Sequence, residues 1–207
     1  VARTDPATDG DRLAVRREIG VRPDAILAVT IGVLRPEKGH AQLLAAVERI
    51  RSDIDIQFVI VGDGPERAAL ETQALRSGLM PDRVVFTGFR DDVPAVLAAS
   101  DFVIQPSLED ALPTALLYAL AAGVPVVASD VGGIPEIVTP GTGILVRPGS
   151  ADALAEGVQE MIERLPADGM RAAARARFRQ EYEVSIWALR LRTLYDEVLA
   201  EYRNTPH

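Results

Sequence analysis

Residues 83–129 read RVVFTGFRDDVPAVLAASDFVIQPSLEDALPTALLYALAAGVPVVAS, and one alternation runs through them. Three apolar runs of strand length, RVVFTG (83–88), DFVIQP (101–106) and VPVVAS (124–129), are separated by the helical stretches VPAVLAAS and PTALLYALAAG. The runs are continuous and rich in Val and Ile rather than alternating, which is the pattern of strands buried on both faces. Strand, helix, strand at this spacing predicts a parallel sheet joined by right-handed crossovers.

The same alternation extends outward in both directions. Upstream lie AILAVTIG (25–32), HAQLLAAVERIRS, IQFVIVG (56–62) and PERAALETQALRSG; downstream lie IPEIV and a short strand, GILVR (143–147). The predicted fold class is α/β, a Rossmann-like doubly wound parallel sheet with extra C-terminal helices. Residues 1–10, polar and turn-rich, read as a linker or arm. The domain spans 11–183, opening with a short helix over DRLAVRREIG that ends at Gly20. After ADALAEGVQEMIERL and GMRAAARARFRQEY comes a last helical segment within 184–207. There Val184, Trp187, Leu191, Leu194, Tyr195 and Val198 share one face, while Ile186 and Leu189 lie off it.

Composition removes several function classes. The net charge of −8 and the interleaved acids and bases leave no basic stripe, so nucleic acid is not an expected partner. There is no cysteine, and the histidines are His40 and the terminal His207, so neither a thiolate site nor a histidine-rich metal site is expected. No apolar run reaches 18 residues and no signal segment is visible, which makes cytoplasmic residence the default expectation. The chain begins at Val1 rather than Met, as a segment of something longer would.

In an open parallel sheet, ligands bind beyond the carboxyl ends of the strands, where loops meet helix N-termini. Four such loops stand out. In the first, Gly32 to His40, Gly32 permits close approach of a ligand, and Arg35 and Lys38 carry charge suited to a diphosphate; a solvated turn is the ordinary reading. The second, Val61 to Arg67, is sufficiently explained as turn and helix-start chemistry. The third, Gly88-Phe89-Arg90-Asp91-Asp92, suits a nucleobase flanked by backbone groups, although Asp91 or Asp92 more plainly caps the next helix. The fourth, Pro106 to Thr114, sets Glu109 and Asp110 beside backbone N–H groups around Leu112 to Thr114. Amides for an anion next to carboxylates for hydroxyls suit a phosphate beside a polyol; acids complementing a helix dipole are the ordinary alternative.

At these loops the sequence resembles the retaining glycosyltransferases of the GT-B fold, of the group 1 or family 4 type. The segments that carry the likeness are LRPEKGHAQLLAA, FVIVGDGPER, the stretch from RVVFTG to IPEIV, and TGILVRPGSADALAEGV, in order over about residues 26–160. The resemblance covers that family's C-terminal, nucleotide-sugar-binding domain only. It implies that Lys38 binds the donor diphosphate, that the amides of Leu112, Pro113 and Thr114 bind its distal phosphate, and that Gly88, Phe89 and Arg90 contact the base. The family's two glutamates, with seven residues between them, fall on Asp110, which would hold sugar hydroxyls, and Tyr118, which stands where an acid would accept from the ribose. Val33 stands where the family commonly has an Arg, and Arg35 is the nearby substitute.

The implied reaction is transfer of a sugar from a nucleoside diphosphate sugar with retention, without a metal and without a further cofactor. Lys38 and the helix amides would stabilise the leaving diphosphate, with Lys38 and Asp110 as the catalytic pair. The partners expected are the nucleotide sugar and a missing N-terminal domain, across which the final helix would pack. That half would also meet the acceptor, such as a polysaccharide or a membrane-surface molecule, and this chain alone would not turn over. Val33 and Tyr118 favour a second reading, a degenerate module that binds nucleotide weakly or serves as a partner-binding domain. A sugar-nucleotide epimerase of the same architecture ranks last.

Overall fold

A computed structural model describes residues 9–165 and 169–204; the expected arm at 1–10 lies outside the described residues except for its last two positions. Those two, Asp9 and Gly10, already belong to helix α1 (Asp9–Glu18). Six strands follow: β1 (Ile26–Ile31), β2 (Ile56–Val61), β3 (Val84–Gly88), β4 (Phe102–Gln105), β5 (Val126–Ser129) and β6 (Gly143–Val146). Every pairing is parallel, in the order β3-β2-β1-β4-β5-β6. Each strand lies within one or two residues of the run that predicted it.

The helices are α2 (His40–Val47), α3 (Arg67–Arg76), α4 (Val93–Ala99), α5 (Thr114–Ala122), α6 (Ile134–Ile137), α7 (Ala151–Arg164), α8 (Gly169–Arg177) and α9 (Val184–Asn204). Successive strand residues point to opposite faces, and both faces are covered. Ala28, Phe58, Ile60, Phe102 and Ile104 pack with residues of α2, α3 and α7. Leu27, Val29, Val59 and Val61 meet residues of α4, with Val15 of α1 beside them. Val103, Val126 and Ala128 meet α5, α6 and α8. This two-sided burial is why the strands carry no alternation.

At the amino edge of the sheet one carboxylate gathers both ends of the domain. Asp101 pairs with Arg12 (3.2 Å) and Arg16 (2.8 Å) of α1 and lies 3.7 Å from Arg171 of α8, while accepting from the Leu27 N–H. The buried Arg16 also donates to the Pro23, Ala25 and Ala99 carbonyls, so its donors are satisfied. After α8 the chain makes a π-helical turn, Phe178–Tyr182, from which the Tyr182 hydroxyl donates to the Glu136 carbonyl. Helix α9 then leaves with its apolar face in solvent: Trp187 is 60% exposed, and Val184, Leu194, Tyr195 and Val198 are comparably open. No helix among the described residues is long and apolar enough to cross a membrane.

Candidate functional site

The strand order reverses between β1 and β4, so the loops that follow these two strands open side by side. This is the switch point at which doubly wound sheets bind ligands. The loop after β1 passes through a 3-10 turn, Pro36–Lys38, and reaches α2 through Gly39. The loop after β4 leads to α5. The two are fastened by backbone: the N–H groups of Leu108 and Glu109 both donate to the Glu37 carbonyl, at 2.8 and 3.3 Å.

Across this seam Lys38 Nζ donates to Asp110 Oδ2 at 2.7 Å, joining the two residues expected to carry the chemistry. Asp110 is held from behind as well. Its Oδ2 accepts from Ser107 Oγ at 3.1 Å and from Gln105 Nε2 at 3.4 Å, and Gln105 Nε2 also donates to Ser107 Oγ at 2.8 Å. A carboxylate can only accept, so the amide nitrogen of Gln105 must face it. The Asp110 side chain is 8% exposed and that of Lys38 25%, so the ammonium is the more open of the two. On the far side, Gly132 and Gly133 buttress the loop. A Cβ on Gly132 would stand 1.8 Å from the Asp110 carbonyl oxygen, and the Gly133 N–H donates to the Ala111 carbonyl.

Beside the pair opens α5. No side chain caps its N-terminus, so its first N–H groups lack intrahelical partners and the positive end of its dipole faces the same edge. Thr114 and Leu112 are exposed there. Pro113 requires a correction: proline has no N–H, so it donates nothing to a phosphate, and its buried ring fixes the extended entry into the helix. Tyr118, one turn further on, is partly exposed. Glu109 points outward and is exposed, as are Val33 and Arg35, the latter within 4.0 Å of Glu37.

The third loop lies at the end of β3, two strands from β1. The strand-end glycines form a ladder, with the Gly32 N–H donating to the Val61 carbonyl and the Gly62 N–H to that of Gly88. Phe89 is 79% exposed on this rim. Arg90 is engaged elsewhere: it grips Asp92 through two bonds, at 2.7 and 2.6 Å, and Glu18 of α1 at 2.8 Å. Asp92 occupies the cap position of α4, but its carboxylate faces Arg90 rather than the helix amides. That contact holds the Asp92 carboxyl below its ordinary range, and Arg90 above its own.

Three functional candidates were not singled out from sequence. Gln105 and Ser107 are buried polar residues closing an otherwise apolar strand, a signal visible in FVIQPS. His40 is buried at the first residue of α2, and its Nδ1 finds no partner. Burial first, then the neighbouring Lys38 ammonium, pull its imidazole from 6.5 down to about 4, so it is neutral at pH 7. Among the described residues no three His, Asp or Glu side chains cluster as ligands for an ion.

Known proteins resemble this chain in sequence and fold. Residues 25–164 match the family model described as glycosyl transferases group 1. The N-acetyl-alpha-D-glucosaminyl L-malate synthase of Bacillus anthracis is 30% identical over 200 residues, which cover 94% of this chain and 51% of that protein. The alpha-maltose-1-phosphate synthase of Mycobacterium tuberculosis is 33% identical over 212 residues, 94% of this chain and 53% of that one. Anabaena HepE, solved in complex with UDP and glucose, superposes with a TM-score of 0.83 at 29% identity, over 92% of this chain and 53% of HepE. The C-terminal domain of a group 1 glycosyl transferase, LpcC of Francisella tularensis, shares the fold with a TM-score of 0.73 at 22% identity, over 86% of this chain and 95% of that domain. The chain thus spans about half the length of the relatives it matches. On its family match and on these relatives, the chain belongs to the glycosyl transferases group 1 family.

Proposed function

We propose that this chain is the donor-binding half, the C-terminal domain, of a retaining GT-B glycosyltransferase that takes a sugar from a nucleoside diphosphate sugar. The observation that carries the reading is the convergence of Lys38, Asp110 and the uncapped N-terminus of α5 at the switch point between β1 and β4. In this reading the diphosphate lies between Lys38 and the amides of Leu112 and Thr114. The base rests on the rim of Gly88 and Phe89, and Asp110 accepts from a sugar hydroxyl. As the bond from the anomeric carbon to the diphosphate oxygen breaks, negative charge grows on the leaving group, and the ammonium and helix amides would stabilise it there. No protein nucleophile is assigned, and no metal enters the scheme.

The half-length match supports a second domain that holds the acceptor, and the open face of α9 is suited to pack on it. HepE, crystallised with UDP-glucose as well, supports a uridine nucleotide as the first ligand to try. Cytoplasmic residence, where nucleotide sugars are made, belongs to the same reading.

Calorimetric titration with UDP, GDP and ADP tests it. One of them should bind at sub-millimolar concentration, and Lys38→Ala should weaken that binding by about 1.5–3 kcal/mol, the worth of a charge-assisted hydrogen bond. If none binds at millimolar concentration, the chain is the degenerate module that Val33 and Tyr118 favour.

A further inference from the structure

Three donors converge on a single oxygen of Asp110, and only one of them, Lys38, is partly open to solvent. The other two are fixed. Gln105 is the last residue of β4 and Ser107 lies two residues on; they are 4% and 0% exposed. Both hydrogen bonds come from neutral groups, and neither they nor the lysine use Oδ1.

We infer that Gln105 and Ser107 are positioning residues, which hold Asp110 for the sugar when the diphosphate draws Lys38 away. The inference rests on the donor-site reading above. A diphosphate carries more charge than a carboxylate and sits in the open, so it competes for the ammonium. Asp110 then loses its cation while remaining almost buried. A buried carboxylate stripped of its partner is costly and would turn outward. The Ser107 hydroxyl and the Gln105 amide prevent this by continuing to donate to Oδ2. The unused Oδ1 is left to accept from a substrate hydroxyl. Lys38 and Asp110 thereby exchange partners: paired with each other in the free protein, they address diphosphate and sugar in the complex. A buried amide that ends a Phe-Val-Ile strand and leaves its own oxygen unpartnered has a role here that packing alone does not supply.

The experiment compares each nucleoside diphosphate with its glucose ester, UDP with UDP-glucose and likewise for GDP and ADP, by titration of the wild-type chain and three variants. Ser107→Ala should weaken the glucose ester about tenfold more than the plain diphosphate, as expected for loss of the hydrogen bond that orients the sugar's acceptor. Ser107→Thr, which keeps the hydroxyl, should restore the wild-type ratio to within about twofold. Gln105→Met should shift the ratio in the same direction by about threefold, and it carries the test if Ser107→Ala does not fold by circular dichroism. Equal weakening of both ligands would assign the pair a purely structural role and overturn the inference. So would an unchanged ratio, or a folded threonine variant that behaves like alanine. If the wild type binds no diphosphate, the donor-site reading fails first and takes this inference with it; if it binds and the ratio does not move, only the inference fails.

Discussion

Gly39 lies so close to Pro106 that a Cβ on the glycine would sit 1.9 Å from the proline carbonyl oxygen. Its φ of 71° is also one that side chains resist. The contact is what presses the Lys38 loop onto the Asp110 loop.

Gly39→Ala should therefore cost about 2–6 kcal/mol, combining left-handed backbone with a forced shift of the neighbouring strand end. Gly20 is the control: its φ is 75°, but nothing stands within 4 Å of its added Cβ. There alanine should cost only about 1–2 kcal/mol. Urea unfolding of the two variants decides the matter, since similar losses would mean that the two loops are not in contact.

Stability should fall in acid through His40. In the folded protein this imidazole protonates near pH 4, against 6.5 when unfolded. Below 6.5 the unfolded chain takes up the proton first, so stability is complete above that pH and declines as pH drops towards 4. The gap, 6.5 minus 4, at ~1.36 kcal/mol per pH unit, is worth about 3 kcal/mol. His40→Gln removes this titration. The wild type should lose ground to the variant between about pH 7 and pH 4.5, and parallel urea midpoints would show that His40 is not buried neutral.

Tyr118→Glu places a carboxylate where the resemblance implies one for the ribose. Ribonucleoside diphosphates should bind about 3–10-fold more tightly, one added hydrogen bond's worth. The gain should vanish for a ligand lacking both ribose hydroxyls. Equal or weaker binding by the variant would give Tyr118 a role of its own in stacking or packing.

Trp187 should fluoresce as a solvent-exposed indole. Trp187→Ala should alter the isolated chain's stability by no more than about 0.5 kcal/mol, because little packs against the ring. Joining the upstream half of the enzyme should shift the emission to the blue and bring sugar transfer with it. Robust transfer by the 207 residues alone would end the half-enzyme reading.

The strands were legible because burial on both faces writes itself as nearly continuous apolar runs, as in Ile56–Val61, where only Gln57 is polar. The loops were legible as places rather than as contacts. Lys38 and Asp110 are 72 residues apart, and no local pattern announces that they bond. Arg90 looks free for a ligand until Glu18, 72 residues earlier, is seen beside it. Pro113 was misassigned by reading a helix start as a row of amides without regard to the residue that lacks one. His40 opens α2 directly after a charged turn, and its burial is not something periodicity encodes.

The Asp101 latch also has a history in time. Arg16 is made 85 residues before its carboxylate, a wait of about 4–17 s at roughly 5–20 residues per second during synthesis. Until then α1 can use the nearby carbonyls of Pro23 and Ala25, the packing of Val15 on β1 and β2, and the Glu18–Arg90 pair. Arg171, which closes the cluster, follows Asp101 by another 70 residues. The first helix of the domain thus completes its latch late. The domain's amino edge is completed only after every strand that shapes the ligand edge has already emerged.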